Sequence, residues 1–231
     1  MSYLFCCCAS CFSDSEDSVQ SNAERQPLLP PESARLFHPP AQDVAKLNGK
    51  LSVKLVGVPE LDGHFADIAE TFNQQQEHYE SMLESLGQLR ASCGHGGGLS
   101  DCLHRLQAEN STRQLSVQMK GYEFSLEVSG EVPPELQRAQ ESVSSLCQAV
   151  KAITAAGPRL QGMIRWLLQS EEQLRQRVTD ASPNFQQQLR VQANLRENLQ
   201  GVRRVQVRSA QYREEAGAVL SEAAKLAETQ S

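Results

Sequence analysis

The fold is decided by residues 65–89, FADIAETFNQQQEHYESMLESLGQL. Large side chains recur there at alternating steps of three and four residues, which is the a/d pattern of a heptad helix. The seam residues are Phe65, Ile68, Phe72, Gln75, Tyr79, Met82, Leu86 and Leu89. Asp62 is placed to cap the start of this helix, and the glycine-rich stretch 94–98 ends it. The stretch therefore predicts one long amphipathic helix.

Two further long helices are predicted downstream. Pro133 and Pro134 open the first of them, because proline at the start of a helix lacks only an N–H that has no partner there. Its apolar seam keeps phase across Gly157-Pro158, which favours a kink over a stop. That seam is Leu136, Ala139, Val143, Leu146, Val150, Ile153, Leu160, Ile164, Leu167, Leu174 and Val178.

The last helix is expected to start with Ser182 as N-cap and Pro183 at its first turn. It can continue to about residue 228. Its expected apolar face is Phe185, Leu189, Leu195, Leu199, Val202, Tyr212, Ala216, Leu220 and Ala223.

Two stretches have the period of two that is typical of β-strands. Residues 114–128 alternate apolar and polar side chains on either side of Lys120-Gly121, which predicts a β-hairpin. Residues 51–58 alternate in the same way and could pair with the hairpin as a small sheet. The rival to the hairpin is one helix that continues through residues 99–128 and ends at about residue 127. The fold class expected is mainly α, an elongated bundle or coiled coil of three long helices with a small hairpin or sheet.

Composition separates two parts of the chain of 231 residues. Residues 1–46 hold five prolines and many Ser, Glu and Asp, and are expected to be a disordered targeting segment. Residues 47–231 are expected to form the helical domain. The net charge of −6 argues against nucleic acid as a partner. No apolar run reaches about 18 residues, so no membrane-spanning helix is expected.

Four of the seven cysteines, Cys6, Cys7, Cys8 and Cys11, lie within six positions near the N-terminus. Three consecutive cysteines are poorly placed to bridge one another, because a disulfide needs Cα atoms about 5.5–6 Å apart. The segment has no basic residue before Arg25, unlike a secretory signal, and a zinc site would need a second pair of ligands. S-acylation by palmitate therefore suits these cysteines best. Ser2 occupies the position where N-myristoylation requires glycine, so the anchor is expected to rest on the cysteines alone.

A second short motif follows the cysteines. Glu24, Leu28 and Leu29 match an acidic dileucine sorting signal, which a clathrin adaptor would bind through an apolar pocket and a basic patch. Ser13 and Ser15 lie among acidic residues, as in substrates of acidophilic kinases. Phosphate at these serines would add negative charge and weaken contact with a membrane.

The order of these features resembles the N-terminus of the lipid-anchored subunit of the Ragulator complex, a late endosomal and lysosomal scaffold. The matching residues are Cys7-Cys8, the acidic serine-rich stretch 13–18, and Glu24 with Leu28-Leu29. Ser2 departs from the myristoylated glycine of that family. The resemblance covers about the first thirty residues and implies the cytoplasmic face of endosomal or lysosomal membranes. Golgi and plasma membranes remain open.

Few residues of the body suggest chemistry. Cys93-x-His95 and Cys102-x-His104 flank the glycines, but their spacing matches no usual structural zinc pattern, and no metal or cofactor is expected. No nucleophile motif or phosphate loop is present, so the chain is interpreted as a non-enzyme. The last helix is locally basic, which predicts either a solvated face or contact with an acidic partner helix or anionic lipid. The arginines concerned are Arg190, Arg196, Arg203, Arg204 and Arg208.

Three functions fit these features. The first is an S-acylated endolysosomal adaptor or scaffold that docks partner proteins through coiled-coil helices. The second is a membrane-shaping dimer like a BAR domain, with the arginines of the last helix on a concave face. The third is a component of a SNARE-like helical assembly, which would require helices that order only with their partners.

Overall fold

The computed structural model describes residues 49–94 and 97–229. This part of the chain is mainly helical and contains five helices and one two-stranded antiparallel sheet. The elements in chain order are α1 (Pro59–Ser92), α2 (Leu99–Glu109), β1 (Leu115–Lys120), β2 (Glu123–Val128), α3 (Pro134–Gln169), α4 (Glu171–Asp180) and α5 (Phe185–Thr229).

The core lies where the apolar faces of α1, α3 and α5 meet. Phe65, Ile68 and Phe72 of α1 are fully buried, as are Val143 and Leu146 of α3. Burial of each such side chain contributes roughly 1.5–3 kcal/mol, so these apolar faces are the main source of stability.

The seam residues predicted for α1 are buried or partly buried, and so are those predicted for α3 up to Leu167. The prediction that the second helix continues to Val178 is wrong, because α3 ends at Gln169 and Leu174 and Val178 belong to the separate helix α4.

Helix α3 runs without a break through Gly157 and Pro158. Leu160 and Ile164 beyond the proline are as deeply buried as the residues before it. A Cβ placed on Gly157 would lie 2.2 Å from Cδ of Arg213 on α5. Glycine at this position therefore allows α5 to pack closely against α3.

The segment 51–58 is not a strand, and the prediction that it joins the sheet is wrong. Side-chain amides satisfy its backbone instead. Asn73 of α1 accepts a hydrogen bond from the Leu51 amide at 2.7 Å and donates one to the Leu51 carbonyl at 3.1 Å. Asn198 of α5 does the same with Lys54, at 2.9 Å and 2.7 Å. Residues 49–58, here called the extended segment, are thus held by α1 and α5.

The hairpin predicted for residues 114–128 is confirmed, and the rival helix is excluded. The register pairs Leu115 with Val128 and Lys120 with Glu123. Gly121, in the two-residue turn, has a φ of 65°, a left-handed conformation that glycine adopts readily. The hairpin covers the bundle, with β2 against α3 and β1 against α5.

Helix starts differ from the sequence-based expectation at two places. The side chain of Asn184 accepts a hydrogen bond from the Gln187 amide at 2.9 Å, so Asn184 caps α5. Ser182 was the expected cap, but its hydroxyl donates to the Val178 carbonyl at the end of α4. Asp62 lies inside α1 and reaches back to accept from the amide of Val56 at 2.7 Å.

Candidate interaction surface

Helix α5 has one side in the core and the opposite side in solvent. Leu195, Leu199 and Val202 belong to its buried side. With 3.6 residues per turn, the row farthest from the core falls at steps of three and four residues from position 189. This outer row is Leu189, Ala193, Arg196, Gln200, Arg203 and Val207, and all six residues are exposed.

Large apolar side chains are exposed on this side of the helix. Leu189 is 53% exposed, Val207 69%, and Phe185 at the start of α5 71%. The expectation that Phe185 and Leu189 belong to the apolar core face is wrong, because both lie more than a quarter turn from the buried row. The same counting from the buried row would have found Val207, which sequence reasoning missed.

All five arginines singled out from the sequence are exposed on α5, but they differ in their contacts. Arg203 forms an ion pair with Glu171 of α4, and Nη1 of Arg208 donates to the Gly49 carbonyl at 3.0 Å. Within residues 49–94 and 97–229, Arg190, Arg196 and Arg204 have no hydrogen bond or ion pair. These three charges are available to an external contact.

Glu171 shows how Arg203 is held. This carboxylate accepts a hydrogen bond from Arg175 at 2.6 Å and also pairs with Arg203. The two guanidinium groups, Arg175 foremost, hold the pKa of Glu171 below its usual value. Glu171 therefore stays charged at neutral pH, and Arg203 is partly neutralised.

Charge is divided unevenly along α5. From Phe185 to Arg213 the helix has six arginines and one acidic residue, Glu197. Glu197 is itself paired with Lys54 of the extended segment at 2.5 Å. In a chain with a net charge of −6, this half of α5 forms a locally basic face. We call the outer row together with Phe185, Arg190, Arg204 and Arg208 the basic face.

Arg213 is half-buried where α5 packs against the other helices. The Nε of Arg213 is buried with no hydrogen-bond partner in the described residues. Nearby, the rings of Tyr79 and Tyr212 stack with centroids 4.0 Å apart, and the Tyr79 hydroxyl donates to Glu215 at 2.6 Å. Burial, followed by this hydrogen bond, raises the pKa of Tyr79 to about 12. These polar groups join α1 to α5 and contribute to packing.

The remaining cysteines of the body are buried. Cys93 and Cys102 lie side by side, and burial raises the pKa of Cys93 to about 12. A thiol with such a pKa stays protonated at neutral pH and is a poor nucleophile and a poor metal ligand. Among the described residues, no group of three or more His, Cys, Asp or Glu side chains could hold a metal ion.

A second exposed feature lies between α1 and α3. Trp166 is 41% exposed, and the centroid of its ring lies 4.7 Å from that of His64. Ile68 and Met163 line the same shallow recess. No Asp, Glu, Lys or Arg side chain among the described residues lines it.

The motifs of the N-terminal segment lie outside the described residues. They are Cys6, Cys7, Cys8, Cys11, Ser13, Ser15, Glu24, Leu28 and Leu29. Among the residues that are described, no helix is long and apolar enough to cross a bilayer.

Comparisons with known proteins give no relative for this chain. No family model matches the sequence, and searches of curated proteins and of solved structures found no match. The resemblance to the Ragulator subunit therefore stays a hypothesis that rests on the N-terminal motifs.

Proposed function

We propose that this protein is an S-acylated scaffold or adaptor on the cytoplasmic face of endosomal and lysosomal membranes. Palmitate on Cys6, Cys7, Cys8 and Cys11 would hold it there, since stable anchoring takes about two lipid signals and four cysteines can supply them. Glu24 with Leu28-Leu29 would direct it to that membrane through a clathrin adaptor. The body, an elongated helical bundle in this proposal, would dock helical partner proteins.

Beyond the N-terminal motifs, one observation supports a body that makes an external contact at the membrane. Helix α5 buries one side against the other helices and exposes arginines and large apolar side chains on the opposite side. Three of these arginines have no hydrogen bond or ion pair within the described residues. Exposed apolar groups beside unpaired charges are typical of a surface that meets something outside the molecule.

The BAR-like alternative also depends on the exposed arginines of α5. It requires two copies of the chain to form a dimer whose arginines line a concave surface, and it predicts that this dimer bends vesicles. The SNARE-like alternative requires helices that order only with partners. Burial of α1, α3 and α5 against one another within a single chain favours the scaffold over that alternative.

Proximity labelling in cells tests the proposal. The labelling enzyme is fused to the wild-type chain and to a variant with Cys6, Cys7, Cys8 and Cys11 changed to Ser. The wild type is expected to label endosomal and lysosomal membrane proteins, together with a set of helical partners. The variant is expected to lose the membrane proteins. If both chains label the same neighbours, the lipid-anchored scaffold is refuted.

A further inference from the structure

The residues of the basic face of α5 indicate what kind of surface would contact it. The row at its centre has large apolar residues only at its ends, Leu189 and Val207, with Arg196, Gln200 and Arg203 between them. A partner helix in a coiled coil would require apolar residues at successive a and d positions along this row. The row lacks them, so a second helix would gain little by packing there.

A charged planar surface suits the basic face better. Arg190, Arg196 and Arg204 are exposed and unpaired among the described residues. Arg190 and Arg208 are separated by about 27 Å along the helix axis, and Arg190, Arg196 and Arg204 lie within about a third of the helix circumference, so the positive charge is spread over a strip of the helix surface. Arg190 and Arg196 are about 9 Å apart along the axis, and Arg196 and Arg204 about 12 Å. Both spacings exceed the Debye length of about 8 Å at physiological salt, so each charge interacts with its own part of an opposing surface.

We propose that the basic face of α5 rests on anionic lipid headgroups in the leaflet that holds the acylated cysteines. The guanidinium groups would contact phosphate and carboxylate groups of the lipids. Phe185, Leu189 and Val207 would reach the boundary between headgroups and acyl chains, where exposed apolar side chains are favoured. The inference rests on the proposed function, because the anchor keeps α5 at a high local concentration beside the leaflet.

The contact also gives the body an orientation. The rest of the chain is more acidic than α5, since the six arginines of residues 185–213 lie in a protein with 28 acidic and 22 basic side chains. An anionic leaflet therefore attracts the basic face more strongly than it attracts the rest of the protein, which has a net negative charge. The recess beside Trp166, between α1 and α3, would stay open to partner proteins.

Vesicle binding by the full chain tests the proposal. The four N-terminal cysteines are changed to Ser so that no acyl chain contributes. Sedimentation then compares vesicles of phosphatidylcholine with vesicles that also contain phosphatidylserine. The protein is expected to bind the mixed vesicles, to ignore the neutral ones, and to bind less as salt is raised.

Two matched triple variants locate the contact. Changing Arg190, Arg196 and Arg204 to Gln is expected to weaken binding to the mixed vesicles about 100-fold, because each basic residue near the surface contributes about a factor of five. The control changes three exposed arginines of α3 to Gln with the same loss of charge. These are Arg138, Arg159 and Arg165. The control is expected to bind like its parent.

Three outcomes would overturn the proposal. The parent chain could fail to prefer phosphatidylserine, or the two triple variants could lose binding equally, which would reduce the effect to net charge. The parent could also bind poly-L-glutamate through the three arginines of α5 and ignore vesicles, which would assign the face to an acidic protein. Acylation is measured separately on the wild-type chain, so failure of the anchor and failure of this contact can be told apart.

Discussion

Asn198 offers the sharpest test of how the extended segment is held. Asn198 is 2% exposed, and its side-chain amide makes two hydrogen bonds to the backbone of Lys54, at 2.9 Å and 2.7 Å. Changing Asn198 to Ala removes both. At about 1 kcal/mol net for each hydrogen bond, the loss is about 2 kcal/mol.

The same substitution also raises the free energy of unfolding by a smaller amount. Alanine has the higher helix propensity, which returns about 0.5 kcal/mol in the interior of α5. The free energy of unfolding should therefore fall by about 1.5 kcal/mol, and Tm by about 3–6 °C for a domain of this size. Gln200, exposed on the same helix with no hydrogen bond among the described residues, is the control. Changing Gln200 to Ala should leave Tm unchanged or slightly raised.

Calorimetry measures the change in Tm, and amide hydrogen exchange shows whether the extended segment is released. In the Asn198 variant the Lys54 amide should exchange faster, while amides in the middle of α3 should keep their protection relative to global stability. If the Asn198 and Gln200 variants have the same Tm and the Lys54 amide exchanges as in the wild type, the side-chain amide of Asn198 does not hold the extended segment.

Two further predictions concern the interior. Changing Gly157 to Val should lower the free energy of unfolding, measured with denaturant, by about 1–3 kcal/mol, because a Cβ there meets the side chain of Arg213. The control is Gly162→Ala, which should raise stability slightly because a Cβ at Gly162 has nothing within 4 Å. The Cys93 thiol should resist alkylation near neutral pH in the folded protein and react after unfolding. Its pKa is raised from 9.0 to about 12, so its contribution to stability should be present below pH 9 and lost as the pH rises toward 12. A Cys93→Ala variant that shows the same decline over that pH range would contradict this origin.

The helices could be predicted because apolar spacing repeats over many turns. The buried seam of α1 could be predicted from the regular spacing of its apolar residues. The continuation of α3 through Pro158 could be predicted in the same way, because the apolar residues on both sides of the proline keep the same helical phase. The prediction for residues 51–58 was wrong because an alternating pattern indicates which side chains are buried. It does not indicate which groups form hydrogen bonds with the backbone. The partners are Asn73 and Asn198, and the second is 144 residues away from Lys54. No local pattern contains that information.

The basic face could be predicted in part. Its arginines stand out from the sequence because they are concentrated in an acidic chain. Their division into paired and unpaired groups depends on Glu171 and Gly49, which only the folded structure brings to Arg203 and Arg208. Phe185 is exposed because of its angle to the buried row of α5, which does not depend on where the helix begins.

The central claim is that acyl chains on the N-terminal cysteines hold this helical body at a membrane. The most direct measurement is the mass of residues 1–25 from protein extracted from cell membranes, before and after hydroxylamine, which cleaves thioesters. We predict at least two palmitoyl groups on Cys6, Cys7, Cys8 and Cys11, all removed by hydroxylamine, since one chain gives only marginal binding. An unmodified N-terminal segment on membrane-bound protein would contradict the claim.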